Sequence, residues 1–375
     1  AAVPLLVIVL ASFARGFFDL NNLMNMLNRF SYVLIAAVGM NLIILTGNID
    51  VSTGSLISVV CLVTAALGKK GLNLWGMLPA PGRADEAKMP TRVLGRTGRE
   101  LSVMTLGCGH LRASFMDRGK AEQIVIRALE LGVNSIDTAP NYQESEDYLG
   151  EILKDRREKV FLATKNEEAT YKEGWELLRK SLKRLKTEYL DLVYIHNLGM
   201  EGRFADVKEL LGPQGVLAAL VEAKKQGVVK AIGVSGHLYP SRFKAVLERD
   251  EIDVFMCAVN FVARHQYNFE EKVFEPARQK NAGLIAMKVM GGAGNWSEGQ
   301  ARLAEENLDL CVRYALDLPG VCSANLGVRT LDELETAVQR VKNFTPLTGE
   351  EKKSLEQRGR ELANAWGPMY GTPVV

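Results

Sequence analysis

Two textures divide the chain when its apolar and polar positions are followed in order. Residues 1–75 consist of long uncharged runs: Ala1–Ala14, then Ser31–Gly47, then Val51–Gly68. From Arg92 onward, short apolar runs alternate with longer stretches in which apolar residues recur every three to four positions. The first pattern predicts buried strands and the second amphipathic helices. Strands are expected over 103–107, 134–138, 160–164, 190–195, 230–234, 254–259, 283–288 and 321–325, with helices between them such as Ala121–Leu131 and Tyr171–Lys186. Eight such units match an α/β chain closed into a (β/α)₈ TIM barrel. A doubly wound sheet is the alternative, but the regular count favours the barrel. Arg92–Ser102, with Arg96-Thr97-Gly98 between apolar residues, is expected to form a β-hairpin that plugs the bottom of the barrel. Glu350–Trp366 adds a C-terminal helix outside the count.

The runs in residues 1–75 sit at the lower edge of membrane-spanning length, so two or three apolar, transmembrane-like helices are expected there. The last two would form a hairpin around Asn48-Ile49-Asp50, with Lys69-Lys70 marking a cytoplasmic exit. A cleaved signal peptide fits poorly, because no run carries a clear cleavage site. Gly47-Asn48-Ile49-Asp50-Val51-Ser52-Thr53-Gly54-Ser55 and Asn21-Asn22-Leu23-Met24 resemble ribose-type ABC transporter permeases. Only the N-terminal portion of such a permease would be present, and an apolar anchor of no particular ancestry is the plainer reading. Residues 76–88 have linker composition, and Met89-Pro90-Thr91-Arg92 looks like the natural start of a free-standing domain running to residue 375. Ala1 is not a methionine, so the chain is expected to begin inside a longer reading frame, through a gene fusion or the joining of two fragments.

Charge changes this picture little. The net charge of +2 over 375 residues gives no reason to expect nucleic acid. Residues 1–75 hold only Arg15, Arg29, Lys69, Lys70, Asp19 and Asp50 as charged groups. Five cysteines, Cys61, Cys108, Cys257, Cys311 and Cys322, show no CxxC spacing and suit a reduced, cytoplasmic setting. Cys108 and His110 have no matching second pair, so no metal site is expected.

Candidate chemistry gathers around Ser135-Ile136-Asp137-Thr138-Ala139-Pro140-Asn141-Tyr142. Asp137 ends a predicted strand and Tyr142 lies on the loop beyond it, at the rim where barrels build active sites. Ser145 is expected to cap the helix that follows. A phenol titrates near pH 10; a nearby cation lowers that value, and a carboxylate can hold the cation. Lys165 ends the run Val160–Thr164 and His196 ends Leu190–Ile195, each at the close of its own strand. Singly, each has an ordinary explanation: a turn cap, a half-buried aromatic, a solvated lysine, a satisfied core histidine. The four together, at successive strand ends, point to chemistry.

Asp137-Thr138-Ala139, Tyr142, Ser145-Glu146, Leu149-Gly150, Lys165 and His196 resemble the aldo-keto reductase family. That resemblance implies reduction of a small carbonyl substrate with NADPH or NADH, Tyr142 acting as general acid, Lys165 and Asp137 tuning it and His196 orienting the carbonyl oxygen. It also implies cofactor contacts from Gly109, Ser235, Lys288, Gly327 and Arg329. Gly236 and Met256 stand where the family usually places Asn and Gln. Thr336-Ala337 replace a Glu-Asn pair, and Glu333 takes a position often Gln or Arg. Together these leave NADP against NAD preference open. Leu198–Pro213 and Gly291–Glu305, with Trp296 as a candidate pocket wall, are expected to choose the substrate. The alternatives are a nicotinamide-binding regulatory module at a membrane and, with less behind it, a transporter component.

Overall fold

The protein is described by a computed structural model covering residues 88–198, 206–291, 303, 307–368 and 370. The apolar runs of 1–75, the permease-like segment, the 76–87 part of the linker, Cys61 and Trp296 lie outside the described residues. Among the described residues no helix is long and apolar enough to cross a membrane.

Eight parallel strands close into a barrel: β3 (Met104–Gly107), β4 (Ser135–Asp137), β5 (Phe161–Asn166), β6 (Leu190–Ile195), β7 (Val229–Gly236), β8 (Val254–Ala258), β9 (Gly283–Met287) and β10 (Val321–Gly327). β10 pairs with β3 to complete the ring. The doubly wound alternative is thereby excluded. The helices are α1 (Arg118–Glu130), α2 (Ser145–Ile152), α3 (Tyr171–Arg184), α4 (Val207–Leu211), α5 (Val216–Lys225), α6 (Phe243–Leu247), α7 (Glu275–Gln279), α8 (Leu308–Asp317), α9 (Leu331–Lys342) and α10 (Gly349–Trp366). Side-chain caps start several of them: Asp117 on α1, Thr170 on α3, Thr330 on α9, and Thr348 with Glu351 in a capping box on α10.

Each strand is buried on both faces, and its alternation sorts side chains into two cores. On β5, Leu162 belongs to the outer core under the helices, while Phe161 and Ala163 belong to the inner one. Period-two spacing then carries Lys165 inward at the C-terminal end. The outer face is tied to helices by polar contacts: Thr164 donates to Glu146 on α2, and Asn166 donates to the Gly174 carbonyl on α3. Gly150 allows the two helices to meet, because a Cβ there would stand 2.0 Å from the Arg184 carbonyl oxygen.

An antiparallel hairpin, β1 (Thr91–Val93) with β2 (Glu100–Ser102), precedes the barrel. Leu94 and Leu101 are fully buried and share the inner core with Phe161, Leu192, Val254 and Ile285. Leu94 fills the place of a side chain at Gly283, where a Cβ would come within 2.6 Å of it. Arg96 fastens the turn by donating to the backbone carbonyls of Asp250 and Ile252. The hairpin thus plugs the end of the barrel at which the strands begin. Leu94→Ala empties that plug and should cost about 2–5 kcal/mol. Urea denaturation measures it, and a loss below about 1 kcal/mol would show that the plug does not support the core.

Candidate active site

Strand-end geometry brings four predicted residues together at the opposite mouth. Ser135 and Asp137 face inward from β4, and Asp137 meets Lys165 from β5 with the lysine Nζ 2.7 Å from its Oδ2. Both side chains are almost wholly buried. Lys165 also donates to the Thr138 carbonyl oxygen at 2.7 Å, and its charge attracts the Tyr142 phenol. Its Nζ stands 4.8 Å from the centre of the Tyr142 ring. His196, buried just past β6, presents its ring edge-to-face to Tyr142 at 6.4 Å between centroids. Its Nδ1 lies 3.8 Å from a Glu167 carboxylate oxygen.

The electrostatic balance differs from the sequence expectation. Burial raises the Tyr142 phenol above its ordinary value, and the opposing pull of Lys165 does not overcome it. Asp137, which holds the cation, also pushes the phenol upward. Lys165 itself titrates above its usual value: burial opposes its charge, but Asp137 and Tyr142 together outweigh burial. In the free protein, therefore, both Tyr142 and Lys165 keep their protons at neutral pH. Ser145 also departs from expectation. It is the first residue of α2, not its cap, and its buried hydroxyl bonds Thr138 Oγ1 at 2.8 Å and the Cys108 carbonyl at 3.1 Å. The serine staples the two loops that carry the site.

The five predicted cofactor residues line the same mouth without forming one cluster. Gly109 follows β3; a Cβ there would stand 3.7 Å from the Tyr142 ring. Ser235 is buried near the end of β7, where its Oγ accepts from the Asn197 backbone N–H at 3.4 Å. Lys288 follows β9 in a left-handed conformation, and burial and then Lys165 lower it to about 8. Gly327 ends β10 facing His110, and Arg329 is exposed just ahead of α9 with its guanidinium over Phe115. An open surface groove of about 530 Å³ along α1, α2 and α3 shares no residue with this site.

Two further residues escaped the sequence reading, and a third stood in it only as a departure from the family pattern. Asn325 donates to Asp137 Oδ2 at 2.9 Å. Asn197 is fully buried in a left-handed conformation, with neither its amide nitrogen nor its amide oxygen hydrogen-bonded. Glu333 accepts the Arg329 backbone N–H at 2.6 Å, placing a carboxylate at the start of α9.

Residues 103–305 match the model of the Aldo/keto reductase family. The chain belongs to that family. Its relatives agree: L-galactose dehydrogenase of Arabidopsis thaliana is 32% identical over 309 residues, covering 72% of this chain and 93% of that protein. The uncharacterized oxidoreductase YqkF of Bacillus subtilis is 28% identical over 312 residues, covering 73% and 97%. In structure, the aldo-keto reductase AKR11C1 of Bacillus halodurans in its holo form superposes with a TM-score of 0.59 at 26% identity, covering 73% of this chain and 96% of that one. This aldo-keto reductase is accordingly an NAD(P)-dependent oxidoreductase. The mouth suits such a cofactor: the bare Gly109 leaves open the space before Tyr142, and beside Ser235 the unpaired donor and acceptor of Asn197 match a carboxamide's own pair.

Proposed function

We propose that this aldo-keto reductase reduces an aldehyde or ketone to the alcohol, with Tyr142 as general acid. The observation that carries the reading is the Asp137–Lys165–Tyr142 chain beside His196. NAD(P)H, when bound, supplies the hydride that goes to the carbonyl carbon. The carbonyl oxygen gains negative charge as its π bond breaks, and Tyr142 gives that oxygen its proton. Lys165 stabilises the resulting phenolate, Asp137 holds Lys165 in place, and His196 orients the oxygen. Solvent then returns a proton to Tyr142. Because burial keeps the phenol protonated, reduction should hold steady through neutral pH and fall only on the alkaline side of the ordinary tyrosine range. Oxidation of the alcohol needs the phenolate and should rise there instead.

Tyr142→Phe should lower kcat for an activated benzaldehyde by about 10²-fold or more. The pH profiles of the parent, run in both directions with D-arabinose and L-galactose among the alcohols, check the sign. Near-parental turnover in the phenylalanine variant would remove Tyr142 from the role. Nucleotide binding without turnover by the parent would make the chain a nicotinamide-responsive module.

Cofactor preference rests on Lys288, Arg329 and Glu333. Lys288 is charged below about 8 and neutral above it, so phosphate attraction fades as pH rises through that value. Arg329 favours a 2′-phosphate, while Glu333 opposes it by placing like charge at the same helix start. Dissociation constants for NADPH and NADH, measured by fluorescence from pH 7 to pH 9, should weaken with rising pH in the parent and stay level in Lys288→Met. Glu333→Gln should tighten NADPH relative to NADH by about 3–10-fold, and Arg329→Ala should loosen it. Parent and variants with one constant ratio would place the phosphate elsewhere.

The activity is assigned to residues 89–375, acting in the cytoplasm, with residues 1–75 serving only as a membrane tether. The full chain expressed in bacteria should sediment with membranes, while 89–375 should stay in the supernatant and be equally active per mole. Full chain recovered in the supernatant without detergent would defeat the tether.

A further inference from the structure

We infer that Asn325 is a positioning residue, locking the Asp137 carboxylate in the one orientation that lets Lys165 serve Tyr142. The catalytic consequence rests on the function proposed above, whereas the lock is a property of the structure alone. Asp137 Oδ2 receives two donors from opposite sides: Lys165 Nζ at 2.7 Å from the adjacent β5, and Asn325 Nδ2 at 2.9 Å from β10, across β3. Its Oδ1 is buried without a hydrogen-bond partner. The torsion that swaps carboxylate oxygens is soft, so one donor alone would hold it loosely. With two donors on one oxygen, rotation breaks both bonds.

The ammonium has three hydrogens and no others to spare. Two of them go to Asp137 and the Thr138 carbonyl, and the charge stands 4.8 Å from the centre of the Tyr142 ring, whose phenol it draws toward the ionised form. If Asp137 turns, the lysine must follow it or lose a partner, and its hold on the phenol changes in either case. Asn325 is suited to prevent this. A carboxylate only accepts, so the amide must offer its NH₂ and not its oxygen. Its own oxygen lies over Gly107, where a Cβ would stand 2.4 Å away, so only the bare glycine leaves room for it. Its nitrogen also rests 3.3 Å from the Met256 sulfur.

A β-bulge brings the residue here. The pairing of β10 with β9 slips between Val321 and Ser323. Cys322 lies in the inner core, yet Ser323 also bonds the inward Thr105 hydroxyl at 2.8 Å. From Ser323 the alternation restarts, so Asn325 faces inward and Ala324 joins the outer core.

The test uses the full chain labelled with ¹⁵N-lysine, with Lys165→Met assigning the Lys165 ammonium signal. In Asn325→Leu the ammonium protons should exchange with water about 5-fold faster or more, and kcat should fall about 10-fold while the aldehyde KM stays within about 2-fold. Asn325→Asp keeps the shape, loses the donor and serves if the leucine variant does not fold; it should show the same or larger changes. Parental exchange in a folded variant overturns the inference whatever the turnover. Faster exchange in a protein whose parent reduces no carbonyl would keep the lock and discard the proposed chemistry.

Discussion

Asp137 and Lys165 face each other across adjacent strands where neither meets bulk water, and either charge left alone there would be costly. The pair is tolerable because the Thr138 carbonyl accepts a further hydrogen from the lysine and Asn325 gives one to the carboxylate. That demand shapes the mouth of the barrel. It requires glycine at 107 to admit the asparagine and a loop after β4 that turns one carbonyl inward. The apolar inner core below, from Leu94 through Tyr194, keeps water from dissolving the arrangement from beneath.

The same burial that sharpens the ion pair works against an acidic phenol. Desolvation and Asp137 raise Tyr142 while Lys165 lowers it, and the first two prevail. A cation near a phenol is thus not enough to make it acidic where burial, and then the cation's own partner carboxylate, oppose it. In this site the lysine keeps the tyrosine placed and prepared to part with a proton, and leaves it protonated at rest.

Much of the fold was legible because strand ends and helix starts are local. The run Val160–Thr164 read as a strand, the hairpin from Arg96-Thr97-Gly98, and Lys165 and His196 as residues at strand ends, all from patterns a few residues long. Closure of the barrel followed from counting units. Asn325 was not legible, since simple alternation from Cys322 sends it to the outer face and only the slip between Val321 and Ser323 turns it inward. Ser145 misled for a similar reason: a serine before an amphipathic run reads as a cap, and its actual partners, Thr138 and the Cys108 carbonyl, belong to other parts of the chain. The orphaned amide of Asn197 shows only when its surroundings are known.

The slip in β10 also has a meaning for how such a mouth changes over generations. Removing Cys322, the extra residue between Val321 and Ser323, would restore strict alternation and leave the lining of the mouth as it is, since Val321 and Ser323 already pair with the successive residues Leu284 and Ile285. Straightening the strand with Cys322 kept would instead turn Ala324 and Leu326 into the mouth and Asn325 to the helices. The ladder hydrogen bonds need not change, since a strand bonds its neighbours whichever face its side chains choose. Loss of the bulge with no residue lost would therefore re-chemise the mouth in a single step, where point substitutions would need several, and would leave the barrel's outline as it was.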